Sequence, residues 1–292
     1  MVRSHKILQL LLICFLFVKG MALHGQNDVQ FSYECGKDFE APIHSKILLK
    51  RPEKTTDKLF SDTISKYNFS KNNFFKTKGQ YTLSICFESE KYGKDSINYD
   101  FELKGNEINI IISVNFNYSE KFYKQESGFI KGEKVPNGYI RVNKYYEAPK
   151  SIHIKLDKEH ESNEYYKCPL FTIENNSNDT IYGEYLPGYF WGTLSYIRND
   201  TIIARRIGII DYEFVDSPPL YPNSTKTATV GSFGLYKSLP PFNYQFEVML
   251  AKKWQSQGIG VFLKKKNFVW WAGTKEFYRL KYNFKIEEMR KH

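Results

Sequence analysis

The sequence predicts an all-β protein, built as two antiparallel β-sandwich domains behind a cleaved signal peptide. Three observations lead there. Four segments alternate apolar and polar residues with period two, the mark of a half-buried strand. Strand-favouring aromatics are abundant, with 22 Tyr and 23 Phe, and long helical patterns are missing. Turn signals separate the alternating runs: KGNE at 104–107, RND at 198–200, SPPLYPNS at 217–224 and LPPFN at 239–243. Strands spaced in this way suit sandwiches better than a parallel sheet.

The first element is a targeting segment. Arg3 and Lys6 precede the apolar run Ile7–Val18, which then gives way to MALHGQ. That run is too short for a bilayer, which needs about 20 residues, and it fits the core of a signal peptide. Gly25 is the small residue before the cut, so residues 1–25 are expected to be removed and Gln26 to begin the mature chain. Cys14 is not expected to carry lipid, because Ile13 precedes it where a small residue is needed. The chain is therefore expected in the periplasm or at the cell surface, with no transmembrane segment. Losing Arg3, Lys6 and Lys19 leaves 42 − 3 = 39 basic and 32 acidic residues, a net charge of +7. Such a surface attracts acidic proteins, anionic sugars or lipid headgroups. A nucleic-acid partner is excluded, since that would need a basic stripe on a recognised module.

The first domain is expected over 28–118. VQFSYEC opens it, followed by APIHSKILLK, DTISKYNFS and KGQYTLSICFE. INYDFEL then places Ile97, Tyr99, Phe101 and Leu103 on one face, and EINIIISVNFNY does the same for Ile108, Ile110, Ile112, Val114, Phe116 and Tyr118. Cys35 lies in phase with Val29, Phe31 and Tyr33 on the apolar face, whereas Cys86 lies in phase with Thr82, Ser84 and Glu88 on the polar face. Cysteines on opposite faces rarely reach the Cα separation of about 4.4–6.8 Å that a bridge requires, so no structural disulfide is expected. Pro42, Ile47 and Leu49, followed by the G-x-Y-x-L-x-I strand of Gly79, Tyr81, Leu83 and Ile85, resemble the carboxypeptidase-regulatory-like or transthyretin-like β-sandwich family. The resemblance covers about a third of the chain and implies an export-associated, non-catalytic module.

Residues 119–150 are expected to connect the domains, with the polar stretch 119–137 forming a long loop or a short added hairpin. The second domain is expected over 151–292. PLFTIENNSNDTIYGEY reads as strand, turn and strand; PLYPNSTKTATV, YQFEVML and FYRLKYNFKIE continue the pattern. The series resembles an immunoglobulin-like sandwich, without the Cys…Trp…Cys spacing of antibody domains.

Chemistry-bearing motifs are few. There is no H-E-x-x-H, no G-x-S-x-G and no P-loop. His153 falls on the polar face of SIHIKL, the position of a solvated histidine. The acidic residues Asp157, Glu159, Glu161 and Glu164 could supply oxygen ligands to Ca²⁺ in a loop, but the turn glycine of an EF-hand is absent and a solvated linker explains them as well. No cofactor is expected. Asn68, Asn117, Asn175, Asn178, Asn199 and Asn223 begin N-x-S/T triplets, and Thr63, Ser96, Thr180 and Thr201 sit in D-S/T-I triplets.

The tandem Trp270–Trp271 is the most informative pair. Neighbouring residues of a strand point to opposite faces, so the two indoles cannot share one core. GYFWGTLSYI at 188–197 is likewise apolar on both faces. Tyr189, Trp191, Val269 and Trp271 are therefore the expected binding residues, covered by another part of the chain, by a protein partner or by sugar rings. The sequence points first to a non-enzymatic envelope protein that binds another envelope protein or itself. A glycan-binding accessory module and a secreted hydrolase are the alternatives.

Overall fold

The computed structural model describes residues 28–35, 44–75, 77–90, 93–125, 128–162, 166–183, 191–199, 201–209, 218–229, 243–253, 261–264 and 269–285. The expected signal peptide lies outside them. Among the described residues the protein is all-β, and no helix is long and apolar enough to cross a membrane.

The strands in chain order are β1 (Asp28–Cys35), β2 (His44–Lys50), β3 (Thr56–Asp62), β4 (Lys66–Lys71), β5 (Gly79–Ser89), β6 (Gly93–Leu103), β7 (Asn109–Gln125) and β8 (Gly128–Glu147). They continue as β9 (Ile152–Ser162), β10 (Tyr166–Asn175), β11 (Trp191–Arg198), β12 (Thr201–Ile209), β13 (Ser224–Thr229), β14 (Asn243–Ala251), β15 (Val261–Lys264) and β16 (Val269–Lys285). One nine-stranded sheet runs β12-β11-β14-β16-β8-β7-β1-β4, with β15 also on β16. A four-stranded sheet runs β3-β2-β5-β6 and a three-stranded sheet β13-β10-β9.

The expectation of purely antiparallel sheets is corrected in two places. β1 pairs with β7 in parallel, Phe31 opposite Ile112, and β8 pairs with β16 in parallel, Tyr145 opposite Phe277. Parallel neighbours require long crossovers. Here the first crossover is the whole four-stranded sheet with β4, and the second is everything between β8 and β16. The stretch 119–150, expected to connect two domains, is mostly strand instead: β7 and β8 form one hairpin that runs through it.

The alternating rows explain the layers. Val29, Phe31 and Tyr33 of β1, Ile110 to Phe116 of β7, and Ile140 and Val142 of β8 bury one face of the large sheet against Ile47, Leu83, Ile85, Phe87 and Phe101 of the four-stranded sheet. Further along the same face, Tyr244, Phe246, Val248 and Leu250 of β14, with Leu280 and Phe284 of β16, bury against Ile152, Ile154, Phe171 and Ile173. Phe171 stacks on Phe246 with ring centroids 4.3 Å apart. Residues paired across a sheet share a face, and the registers carry one face unbroken from Phe31 through Ile112, Val142 and Thr274 along β16 to Leu280, Val248 and Leu194. Both smaller sheets thus cover the same side of the large one. The other side has a small apolar cluster at mid-sheet, Tyr145, Phe277 and Ala251.

Trp270 and Ala272 lie in the first core, although the sequence assigns them to the second domain. Trp270 is fully buried, against Phe116 at 5.2 Å and Phe87 at 5.9 Å between ring centroids. Its place depends on Gly138, its register partner on β8. A Cβ at that position would lie 2.3 Å from the indole ring. The indole covers the bare glycine backbone, the cross-strand arrangement that secures register around a glycine.

In the second core Asn175 is fully buried, and its amide donates to the carbonyls of Asp179, Leu220 and Tyr221 at 2.8, 3.1 and 3.1 Å. That engagement ties two turns together and leaves no room for a glycan on this triplet.

Gly138→Ala should destabilise the protein by about 1–3 kcal/mol, the usual cost of overpacking a core. Urea unfolding of the two proteins measures this, and an unchanged midpoint would mean that the indole is free to move aside.

Candidate functional site at the junction of the two cores

The strand registers place Trp191 and Trp271 apart along the large sheet. Trp271 is half-buried on the face opposite the cores, with its Cα opposite Tyr139 of β8 and Phe262 of β15. Val269 precedes it on the same strand. Trp191 starts β11, registered to Met249 of β14 and through it to Arg279 of β16. From position 271 to 279 a strand advances roughly 26 Å, at about 3.3 Å per residue, so the backbones of Trp191 and Trp271 are far apart. The sequence could not show this, because alternation reveals which face a residue takes and not where along a long strand it is paired. Tyr189 lies outside the described residues.

The acidic residues are placed differently from a loop. Asp157, Glu159 and Glu161 lie on β9, where its pairing with β10 carries a bulge, and Glu164 lies outside the described residues. His153 reaches Glu174 across the β9–β10 ladder at 2.5 Å.

A different cluster sits between the two cores. β14 pairs with β16 down to Ala251 opposite Phe277, and β15 resumes with Val261 opposite Ala272. Lys252 still donates its backbone N–H to the Glu276 carbonyl at 3.1 Å, and the described pairing on this edge of β16 resumes at Ala272. A cavity of about 300 Å³ lies there, lined by Lys104, Lys253, Thr274, Lys275, Glu276 and Phe277 among others.

Glu276 is the hub of this cluster. Lys144 Nζ donates to its Oε1 at 2.7 Å, Lys104 Nζ to the same oxygen at 3.4 Å, and Lys252 Nζ to Oε2 at 3.3 Å. Burial works against the charged carboxylate, but Lys144, then Lys252 and Lys104, outweigh it and hold the Glu276 carboxyl down at about 2. Lys144 itself is buried and also donates to the Glu102 carbonyl at 3.2 Å. Glu107, 1% exposed, accepts the backbone N–H groups of Lys104 and Gly105, both at 2.8 Å, and so fixes the KGNE turn, where Gly105 takes φ +84°. The Tyr146 hydroxyl lies between the two carboxylates, 3.0 Å from Glu107 Oε1 and 3.2 Å from Glu276 Oε1. Burial and both negative charges push its ionisation far above the ordinary tyrosine range, so it stays a proton donor to them. Lys252 also lies over the Tyr146 and Tyr278 rings, at 4.6 and 5.1 Å from their centroids.

Chemically the cluster is an ionic clasp with a surplus of cations. It lacks the arrangement of a hydrolytic carboxylate pair, which needs one carboxyl raised so that it can act as an acid. Cysteine chemistry has no better footing: Cys35 is a free thiol that burial pushes up to about 11. Among the described residues no group of three His, Cys, Asp or Glu is disposed to hold a metal ion.

Of the residues in this cluster, only the KGNE turn gave a sequence signal. Lys144, Tyr146, Lys252 and Glu276 come together through long-range pairing, with no motif between them. No protein-family model matches the chain, and no curated protein matches it.

The depressed Glu276 carboxyl makes an acid-side prediction. A group whose folded value lies below its unfolded value stabilises the fold above the unfolded value, and that stabilisation is lost as pH falls through the folded value. For Glu276 the window runs from 4.5 down to about 2. Glu276→Gln should lower the melting midpoint at neutral pH and flatten its fall across this window. Parallel melting curves of wild type and variant would have the same slope if the clasp did not form.

Proposed function

We propose that this is an exported, non-enzymatic β-sandwich protein of a bacterial envelope, and that it binds an acidic protein partner on the open face of its large sheet around Trp271 and Tyr139. The carrying observation is that both smaller sheets cover one side of the large sheet, while Trp271 emerges half-buried on the other, beside Tyr139. Export is supported by the basic and apolar N-terminal segment and by the resemblance of residues 28–118 to an export-associated module. The non-enzymatic reading is supported by a carboxylate cluster whose central member is held ionised by three lysines.

The partner's chemistry follows from charge. Exposed Arg141 lies next to the aromatic pair on β8, and Lys66 stands further along the same face on β4. The mature chain carries a net +7, from 39 basic and 32 acidic residues. Such a surface favours an acidic partner and accelerates its approach. Self-association is less well matched, since two copies would bring like charges together.

Trp271→Ala should abolish cross-linking to an envelope protein while moving the melting midpoint by only a few degrees, as expected for a half-buried side chain. Trp270→Ala should lower the midpoint far more. Cross-linking that survives Trp271→Ala would remove the surface from the account. Quenching of wild-type tryptophan fluorescence by neutral oligosaccharides, lost in Trp271→Ala, would instead assign the face to sugar rings.

A further inference from the structure

We propose that Thr63, in the connection between β3 and β4, is an acceptor for an O-linked sugar. This does not depend on the protein partner proposed for the open face. D-S/T-I triplets occur at Thr63, Ser96, Thr180 and Thr201. The fold sorts them by their isoleucine. Ile97 and Ile181 are buried, at 3% and 0% exposure, whereas Ile64 and Ile202 stand out at 44% and 36%. A single exposed aliphatic side chain is ordinary. Here, among the described residues, only Tyr221 joins these two as an exposed large hydrophobic, so the same position of the same triplet is displayed twice. Ile64 lies just before β4 and Ile202 lies on β12, the strands at opposite ends of the large sheet. No single docking patch holds both. A short sequence displayed twice at distant places suits an enzyme that reads a local segment. Asp200 lies outside the described residues, and the site is assigned to Thr63 alone.

Geometry supplies the second step. Ser61 to Lys66 are all exposed, and Thr63, Ile64 and Ser65 lie between strands. A transferase that grips a short segment finds a hydroxyl, an apolar side chain and backbone there together. The segment is held at both ends: Asp62 Oδ1 accepts the Thr63 backbone N–H at 2.6 Å, and the Ser65 carbonyl accepts the Cys35 N–H at 2.7 Å. Order of this kind lowers the cost of being bound. Ser96 and Thr180 lack the combination. Ser96 is exposed, but it is paired with Cys86 inside β6, and Ile97 beside it joins the first core. Thr180 is half-buried, and Ile181 exchanges both backbone hydrogen bonds with Leu220, at 2.9 Å each. Asp62 favours a sugar over a phosphate. Its Oδ1 also accepts from Thr63 Oγ1 at 3.4 Å, and a phosphoryl group on that oxygen would set like charges together, which a neutral sugar avoids. In the transfer, Oγ1 bonds to the anomeric carbon of a glycosyl phosphate donor. The bond from that carbon to the phosphate oxygen breaks, the phosphate leaves with the electron pair, and the hydroxyl proton passes to a base of the transferase.

The test is peptide mapping by mass spectrometry on the whole protein, isolated from the cells that make it. The peptide carrying Thr63 should bear a sugar mass, and the peptides carrying Ser96 and Thr180 should not. Thr63→Ala should remove that mass. Ile64→Ala should reduce its occupancy about tenfold or more, the scale of loss when apolar contact with an enzyme pocket is deleted. Ser96→Ala is the control and should leave it unchanged. All three positions are exposed, and melting of each purified variant checks that the fold is kept. A bare Thr63 in the wild-type protein, a phosphate mass in place of a sugar, equal occupancy at Ser96 and Thr180, or an Ile64→Ala variant that folds and is modified like wild type would each overturn the proposal.

Discussion

A single row of side chains on β16 has to close two cores in succession. Trp270 and Ala272 finish the first, Leu280 and Phe284 finish the second, and all four point to the same side of one strand. Everything else in the architecture follows from this. For the strand to serve both cores it must pair with β8 in its first part and with β14 in its last, and the large sheet is continuous for that reason. The first core is incomplete until the end of the chain arrives, because its largest buried side chain is contributed by residue 270. The two compact units are therefore not independent in the way a linear division of the sequence would suggest.

Between the two cores the same row crosses a stretch that meets the end of β6, where Tyr99 contacts Thr274 and the Glu102 carbonyl accepts from Lys144. Apolar residues there would leave greasy surface exposed, while isolated charges would be poorly solvated. Glu276 meets the constraint with ion pairs to three lysines drawn from β8, the turn after β6 and the end of β14. Buried ion pairs contribute little net stability once desolvation is counted, and their clearest use is to fix one arrangement among alternatives. The clasp does this here: sliding β16 by two residues on β8 would leave Lys144 and Tyr146 without their carboxylate. Gly138 under Trp270 fixes the same register by shape, several residues away.

The sequence made the strands legible and the wiring obscure. Alternation identifies the buried rows of Ile97, Phe101 and Leu103, of Ile110 to Phe116 and of Tyr244 to Leu250, since each residue reports its own side of a strand, while Ile108, just before β7, packs with Ile111 in the mid-sheet cluster instead. Partner choice is a different matter. Nothing local in VWWAGTKEF says that its first residues join a core built from residues 29–116. The parallel pairings of β1 with β7 and β8 with β16 leave no turn to announce them, unlike the hairpin of β7 and β8. The junction was hidden for the same reason. Glu107 belongs to a recognisable turn, but Lys144 and Glu276 read as ordinary polar positions of alternating strands until the fold sets them 2.7 Å apart. Strand alternation puts Trp191 and Trp271 on apolar faces, but their registers separate them by about half the length of β16.

The tandem tryptophans follow from the same continuity. A strand with one face committed to two cores turns its other face to the opposite side of the large sheet, where Tyr145, Phe277 and Ala251 form the mid-sheet cluster. Trp270 uses the first side and Trp271, half-buried, the second. Trp271 and Glu276 lie five residues apart on the one strand that joins both units. A ligand gripping this face would thus act on a strand whose register is already fixed at Gly138 and at Glu276. Rigid support of that kind reduces the ordering cost that weakens binding on mobile loops. The aromatic face and the clasp are in this sense two sides of one strand, and the fold places them within a few residues of each other without any contribution from the sequence between β8 and β14 beyond bringing the chain back.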